Sequence, residues 1–282
     1  MHAAMLSIGM LSEGLLRRLT QIPGARTAWR RFPVGSLERL VRFGILPRPN
    51  YAYGVFSAAQ QAKRLGIEAI SVIEFGVAGG RGLVALEKMS AQIGAALGVE
   101  IAVFGFDGGE GMPTPEGYRD LPHVWDQGFY KMDVDKLRST LQSAKLVLGK
   151  VGDTVSALMR EGNYPPVGFV SFDLDYYSST KQAFALFEGG PETRLPRTYC
   201  YFDDIRSPEI ACHNDWIGEL CAIREFNEEH QSRKLAPIHM LQYALPHAAA
   251  WQEQMYVLHD FEHPLYCKNL TEKKDSHTQI PL

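Results

Sequence analysis

Short apolar runs alternate with amphipathic stretches between about residues 51 and 260, and this alternation predicts an α/β fold. The predicted strands cover residues 70–75, 101–106, 145–151, 167–172, 198–202, 238–243 and 254–260. The predicted helices cover residues 51–65, 82–97, 134–143, 154–160, 178–188 and 213–230. Strands that alternate with helices form a mostly parallel sheet with helices on both faces. Only an Ala-rich loop separates the last two strands, so we expect the seven-stranded sheet to end in an antiparallel hairpin.

A glycine-rich turn follows the first core strand, in the segment EFGVAGGRG at residues 74–82. Glycines let the backbone approach a ligand closely, and the N-terminus of the next helix favours negatively charged ligand atoms. A dinucleotide site has the spacing Gly-x-Gly-x-x-Gly and binds a pyrophosphate. Here Glu74 precedes the first glycine, where it would repel a pyrophosphate but suit the cationic amino group of S-adenosylmethionine. A purely structural connection between strand and helix is the alternative.

Asp107 ends the second predicted strand, about 25–30 residues after the glycines. An acid at this place in an open α/β sheet is where a ribose diol would be held. The alternative is that Asp107 only starts the turn at Gly108 and Gly109.

The charge of the chain is uneven, although the net value is only −3. Residues 1–50 hold eight arginines and two glutamates, about +6, which leaves about −9 for the remainder. We expect three parts: an Arg-rich N-terminal extension at 1–50, a catalytic domain at 51–268 and a polar tail at 269–282. The extension has the composition of a transit peptide, but its apolar residues precede the arginines, the reverse of a secretory signal. We expect it to lie outside the catalytic core, with arginines that are solvated or face a partner, a phosphate-bearing substrate, an anionic membrane face or a second copy of the chain.

The composition excludes several classes of protein. No apolar run of about 20 residues exists, so we expect no membrane span. The four cysteines are widely spread and lack a CxxC pairing, which argues against a zinc site or a disulfide framework. A reducing cytoplasm is the default for such a chain, so we expect a cytoplasmic protein. We also expect a small-molecule substrate and no nucleic-acid partner.

Acidic residues follow two buried strands. Asp173 and Asp175 come directly after strand 167–172, and Asp203 and Asp204 come directly after strand 198–202. If the strands are neighbours, these carboxylates converge at one rim, where they repel each other unless a cation lies between them or one is protonated. Carboxylate oxygens suit Mg²⁺ or a similar divalent ion, which would lower the pKa of a bound hydroxyl.

The roles of several nearby residues stay open. Asp175 either belongs to the site or caps the helix near Ser178. On the helix predicted from residue 213, His213 is a candidate for the site, whereas we expect Trp216 to belong to the core. The long segment 108–133 has the character of a binding loop, and its His123 either contacts substrate or is simply exposed.

Taken together, the motifs resemble the macrocin O-methyltransferase family of class I S-adenosylmethionine-dependent methyltransferases. The resemblance covers roughly residues 50–260 and rests on four ordered segments: EFGVAGGRG at 74–82, FGFDGGEGMP at 104–113, DLDYYSST at 173–180 and FDDI at 202–205. It implies a Rossmann-like fold and Mg²⁺-dependent methylation of sugar hydroxyls in natural-product biosynthesis. It also implies that the cofactor is contacted by Glu74, Gly76, Gly80 and Asp107, with Asp153 near the adenine, and that the metal is bound by Asp173, Asp203 and Asp204.

Three functions therefore compete. The leading one is an O-methyltransferase that uses S-adenosylmethionine and Mg²⁺ or Mn²⁺, with Asp173, Asp175 or His213 as the proton acceptor. The second is a metal-dependent glycosyltransferase, because Asp173-Leu174-Asp175 matches an Asp-x-Asp motif. The third is a non-catalytic binding protein with a methyltransferase fold.

Overall fold

The computed structural model describes residues 12–206 and 208–271, and within them the chain forms one seven-stranded sheet. The strands are β1 (Ala69–Phe75), β2 (Glu100–Asp107), β3 (Lys145–Leu148), β4 (Val167–Phe172), β5 (Arg194–Phe202), β6 (Arg233–Pro237) and β7 (Met255–Asp260). Their order across the sheet is β3-β2-β1-β4-β5-β7-β6. The first five strands pair in parallel, whereas β7 runs antiparallel to both β5 and β6. The predicted mixed sheet with an antiparallel end is confirmed.

The described helices surround this sheet. They are α1 (Glu13–Leu19), α2 (Ala25–Arg31), α3 (Leu37–Arg42), α4 (Pro49–Leu65), α5 (Arg81–Leu97), α6 (Val134–Thr140), α7 (Val151–Glu161), α8 (Tyr177–Ala183), α9 (Gly218–Glu229) and α10 (Leu241–Ala244). Short 3-10 turns occur at Tyr118–Asp120, Phe184–Phe187, Pro191–Thr193, Asp203–Ile205, Glu209–Ala211 and Ala250–Gln254. Among the helices of these ranges, none has the length and apolar character needed to cross a membrane.

Two apolar clusters cover the two faces of the sheet. Side chains alternate between the faces along each strand, so Ile70 and Val72 of β1 join one cluster while Ile73 and Phe75 join the other. Helices α4 and α5 contribute to the first cluster, and α7 and α9 contribute to the second. Because both faces are covered, the ends of the strands are the places where polar side chains can meet.

The described part of the N-terminal segment packs against this core. Trp29 and Phe43 lie with ring centroids 5.3 Å apart, and both belong to the same buried cluster as Tyr51 of α4. His247, in the chain between β6 and β7, is 2.8 Å from the hydroxyl of Thr20. These contacts differ from the expectation that the N-terminal segment lies outside the core. The domain limits at 50 and 268 stay a prediction.

Two predicted elements differ from the structure. The strand predicted at 238–243 is wrong: the partner of β7 is β6, which ends at Pro237, and only the N–H of Ile238 still bonds to the carbonyl of Met255 before the chain turns away. Residues 241–244 form the short helix α10 after Met240, whose φ is 63°. The helix predicted from residue 213 begins only at Gly218, so Trp216 precedes it and is 63% exposed instead of lying in the core.

Candidate functional site

The carboxyl ends of the central strands enclose a large cavity. From β1 the chain continues to β2 and β3 on one side of the sheet and then returns to β4 and β5 on the other. Open α/β sheets bind ligands at the point where the strand order changes direction in this way. The cavity has a volume of about 1480 Å³. Its lining includes Gly76, Ala78, Asp107, Gly149 and Lys150 on one side and Asp173, Asp175, Asp203 and Asp204 on the other.

The glycine turn brings the ends of β1 and β4 together. Gly76 has a φ of 80°, and a Cβ at this position would overlap the carbonyl oxygen of Asp173. The N–H of Gly76 donates to the carbonyl of Phe106 at 2.9 Å, and the N–H of Asp173 donates to that of Phe75 at 3.0 Å. A side chain here would therefore push the two strand ends apart.

Asp107 holds the turn and faces the cavity at the same time. Its Oδ2 accepts from the N–H of Ala78 at 2.8 Å, and its Oδ1 accepts from the N–H of Gly109 at 2.6 Å. Asp107 therefore does start the turn at Gly108 and Gly109, which was the structural alternative. Asp107 also lines the cavity, so it is placed where it could contact a ribose. That contact stays a prediction.

Glu74 lies beneath the turn and is not part of the cavity lining. Its Oε1 accepts from the hydroxyl of Tyr51 at 2.7 Å, while its Oε2 has no hydrogen-bond partner among the described residues. Complete burial raises the pKa of Glu74 to about 7. A Cβ on Gly82 would overlap this carboxylate, so Gly82 provides the space that Glu74 occupies. The predicted contact of Glu74 with the cofactor would require the ligand to reach past the glycine turn, because Glu74 is buried and does not line the cavity.

Three other candidates lie away from the large cavity. Gly80, with a φ of 79°, lines a separate cavity of about 860 Å³, and a Cβ there would overlap the side chain of Leu137. Asp153 is exposed on the first turn of α7. His213 is half-buried in the segment before α9 and does not line the large cavity. The assignments of these three residues stay predictions.

The acidic strand ends meet as the sequence predicts. Asp173 follows β4, and Asp203 and Asp204 form the 3-10 turn after β5. Each of the three offers one carboxylate oxygen, and these atoms lie within 4.8 Å of one another. Burial, reinforced by the neighbouring carboxylates, raises the pKa of both Asp173 and Asp204 above the usual range. Hard oxygen ligands at this separation fit Mg²⁺ or Mn²⁺.

Asp175 connects the two acidic strand ends and does not cap a helix. It has a φ of 57° and is 7% exposed, and its N–H donates to Oδ2 of Asp204 at 2.9 Å. The N–H of Ser178, at the start of α8, donates instead to Oδ1 of Asp120 at 2.8 Å. Burial, together with the charge of Asp173, raises the pKa of Asp175.

The sequence analysis missed two buried acids near the site. Asp120 accepts from the N–H and the hydroxyl of Ser178 and from the N–H of Glu116, which anchors the segment 108–133 to α8. Glu219 accepts from the N–H of Asp204 at 3.1 Å. A signal for Glu219 was present, because it shares the helical spacing of the buried residues Ala222, Ile223 and Phe226.

The segment 108–133 forms one wall of the cavity. Trp125 and Tyr130 line it with ring centroids 6.3 Å apart, and Tyr130 has a φ of 62°. Burial and the charges of the facing aspartates raise the pKa of Tyr130. His123 is exposed and does not line the cavity. The aromatic residues of this segment are therefore better placed than His123 to contact a substrate.

Solved methyltransferase structures are similar to this chain. One is the O-methyltransferase NovP, with a TM-score of 0.50, 12% sequence identity and coverage of 73% of this chain and 78% of NovP. Another is the calicheamicin methyltransferase CalS11, with a TM-score of 0.47, 21% identity and coverage of 83% of this chain and 93% of CalS11. No protein-family model matches the sequence, and no curated protein matches it either. At these identities the likeness concerns the fold alone, and it shows that the chain has the Rossmann-like fold of class I methyltransferases.

Proposed function

We propose that the protein is an S-adenosylmethionine-dependent O-methyltransferase that uses a divalent cation, Mg²⁺ or Mn²⁺. One observation carries this proposal: Asp173, Asp203 and Asp204 bring three carboxylate oxygens within 4.8 Å of one another, in the cavity that also holds the glycine turn and Asp107. Binding sites for one small molecule have volumes of about 300–1,000 Å³. A cavity of about 1480 Å³ therefore suits a cofactor together with an acceptor.

The cavity divides into two regions with different chemistry. Gly76, Ala78 and Asp107 offer close backbone approach and a carboxylate, which suit the amino-acid part and the ribose of S-adenosylmethionine. Asp173, Asp203 and Asp204 would hold the cation, which supplies positive charge that acidifies an acceptor hydroxyl. The cofactor supplies a methyl group on a sulfonium that leaves as a neutral thioether, so the protein has to align the reactants and accept a proton.

Asp175 is the proton acceptor that we favour. It lines the cavity beside Asp173, and its backbone is fixed by the hydrogen bond to Asp204. Asp173 is the alternative, while His213 would have to move to reach the acceptor, because it does not line the cavity.

The acceptor that we propose is a small molecule with a hydroxyl, such as a sugar or another vicinal diol of a natural product. Two adjacent hydroxyls can both approach one cation, and the aromatic rings of Trp125 and Tyr130 offer an apolar surface to a sugar ring. The glycosyltransferase alternative is not favoured, because Asp175 does not join Asp173 in the set of converging oxygens and the fold is that of methyltransferases.

Methyl transfer tests the proposal. The full chain is incubated with methyl-labelled S-adenosylmethionine, MgCl₂ or MnCl₂ and a panel of sugars, glycosides and catechols. We expect label in at least one acceptor, loss of transfer with EDTA, and recovery when Mg²⁺ or Mn²⁺ is added back. Transfer that persists in EDTA would exclude the cation from the reaction. Cofactor binding without transfer to any acceptor would favour the non-catalytic alternative.

A further inference from the structure

A fourth carboxylate, that of Glu219, lies directly behind the three that face the cavity. Glu219 is in the first turn of α9 and is 0% exposed. Its Oε2 accepts from the N–H of Asp204 at 3.1 Å. Its Oε1 is buried and has no hydrogen-bond partner among the residues that the structure describes.

This arrangement is costly for a carboxylate. Glu219 is fully buried beside Asp204 and Asp173, and carboxylates in such a place repel one another unless a cation lies between them. The N-terminus of α9 offers partial positive charge, but only about half an elementary charge. No basic side chain of the described ranges forms a salt bridge with Glu219. A buried negative charge is retained where a cation compensates it.

We propose that Glu219 is a positioning residue of the cation site. Its Oε2 holds the backbone of Asp204, which fixes the turn that carries Asp203 and Asp204. Its charge strengthens the attraction of the three cavity carboxylates for a divalent ion. This inference rests on the proposed function, because it concerns the cation at the same site.

Replacement of the carboxylate by an amide separates the charge of Glu219 from its shape. In Glu219→Gln the side-chain oxygen can still accept from the N–H of Asp204, but the negative charge is lost. The attraction between one carboxylate charge and a divalent ion in a partly buried site is strong enough that its loss should weaken binding of the ion about tenfold or more. We therefore expect Mn²⁺ to bind Glu219→Gln about tenfold more weakly than wild type, in titrations of the full chain with MnCl₂ followed by electron paramagnetic resonance.

The melting temperature distinguishes a positioning role from a merely structural one. We expect the melting temperature of Glu219→Gln without added cation to equal or exceed that of wild type, because the buried charge is gone. We expect the increase caused by MnCl₂ to be smaller than in wild type. Glu228→Gln is the matched control, since Glu228 lies on the same helix but is exposed and paired with Arg224. It should bind Mn²⁺ like wild type.

Wild-type affinity for Mn²⁺ in Glu219→Gln would overturn the inference and leave the proposed function intact. A lowered melting temperature with unchanged affinity would also overturn it, because Glu219 would then only support the fold. If wild type itself binds neither Mn²⁺ nor Mg²⁺, the cation-dependent function fails first, and this inference fails with it. Should Glu219→Gln not fold, Glu219→Met removes the same charge at a similar length, and the expectation of weaker Mn²⁺ binding applies to it.

Discussion

The backbone N–H of Asp175 donates a 2.9 Å hydrogen bond to Oδ2 of Asp204. Asp175 follows β4 and Asp204 follows β5, so this bond fixes the relative position of two strand ends. It also engages one carboxylate oxygen of Asp204, and the side chains of the two aspartates interact as well. Asp175 has a positive φ of 57°, a backbone conformation that aspartate adopts more readily than most residues.

Removal of one charge from the converging carboxylates should weaken cation binding selectively. Loss of residues that only support metal ligands costs about 10–100-fold in affinity or activity, so loss of a ligand should cost at least as much. We expect Asp203→Asn to lower the affinity for Mg²⁺ and the turnover by at least this factor, with unchanged affinity for S-adenosylmethionine in calorimetry. Tyr201→Phe, which removes only the 2.6 Å hydrogen bond to Asp203, is the control and should have a smaller effect.

Substitutions at two neighbouring glycines should differ sharply. Gly76→Ala places a Cβ onto the carbonyl of Asp173 at a φ of 80°, whereas Gly79→Ala meets no atom within 4 Å. We expect Gly76→Ala to lower the free energy of unfolding by about 3 kcal/mol and to weaken cofactor binding. Chemical denaturation of both variants checks this, and equal stability of Gly76→Ala and Gly79→Ala would contradict the packing described for the turn.

Loosening of the segment 108–133 should follow the loss of the Asp120 carboxylate. Asp120→Ala leaves the N–H of Ser178 and the N–H of Glu116 without their acceptor, which costs about 1–3 kcal/mol in the free energy of unfolding. We expect faster hydrogen exchange in residues 108–133 than in wild type. The exposed Asp126 of the same segment gives the control variant Asp126→Ala, in which exchange should be unchanged.

The burial of Glu74 should make stability depend on pH. Its pKa is about 7 in the folded chain and 4.5 in the reference state, so the stability is fully present below about pH 4.5 and is lost as the pH rises through 7. The full loss amounts to about 3 kcal/mol. We expect Glu74→Gln to unfold like wild type at pH 4.5 but to be more stable at pH 8. Glu68→Gln, at an exposed residue before β1, should show no such difference between the two pH values.

The same Glu74→Gln variant tests the cofactor contact predicted for this residue. If Glu74 attracts the amino group of S-adenosylmethionine, the affinity for the cofactor should fall while the stability at pH 8 rises. Unchanged affinity would assign Glu74 to the support of the turn through Tyr51.

The packing of the N-terminal segment predicts that this segment stabilises the rest of the fold. Trp29 is buried against Phe43 and donates from Nε1 to the carbonyl of Val34 at 2.8 Å, whereas Phe32 is 68% exposed. We expect Trp29→Ala to lower the free energy of unfolding by about 3–5 kcal/mol and Phe32→Ala to change it little. A chain that starts at residue 49 should likewise melt at a lower temperature than the full chain. A cooperative unfolding transition at the wild-type melting temperature would instead show that residues 1–48 are separable from the core.

The sequence predicts the features that depend on local pattern. Strands such as 167–172 are mostly apolar and end in acids, so their burial and the convergence of Asp173 with Asp203 and Asp204 follow from the local pattern and parallel pairing. The chain from 238 to 243 has several apolar residues too, but the pairing of β7 with residues 233–237 is a tertiary preference that the local pattern does not reveal. The contacts of Asp120 with Ser178 and of Glu219 with Asp204 escape for the same reason, because they are tertiary contacts; only the burial of Glu219 had a sequence signal.

The most direct measurement is a calorimetric titration of MgCl₂ into the full chain preloaded with S-adenosylhomocysteine, for wild type and for Asp173→Asn. Asp173 is the ligand candidate whose backbone lies against Gly76 of the glycine turn, and the amide of asparagine keeps the shape of the side chain while it removes the charge. We predict one Mg²⁺ per wild-type chain and binding in Asp173→Asn that is at least about tenfold weaker. No binding to wild type, or equal binding to both proteins, would contradict a cation-dependent methyltransferase site at these strand ends.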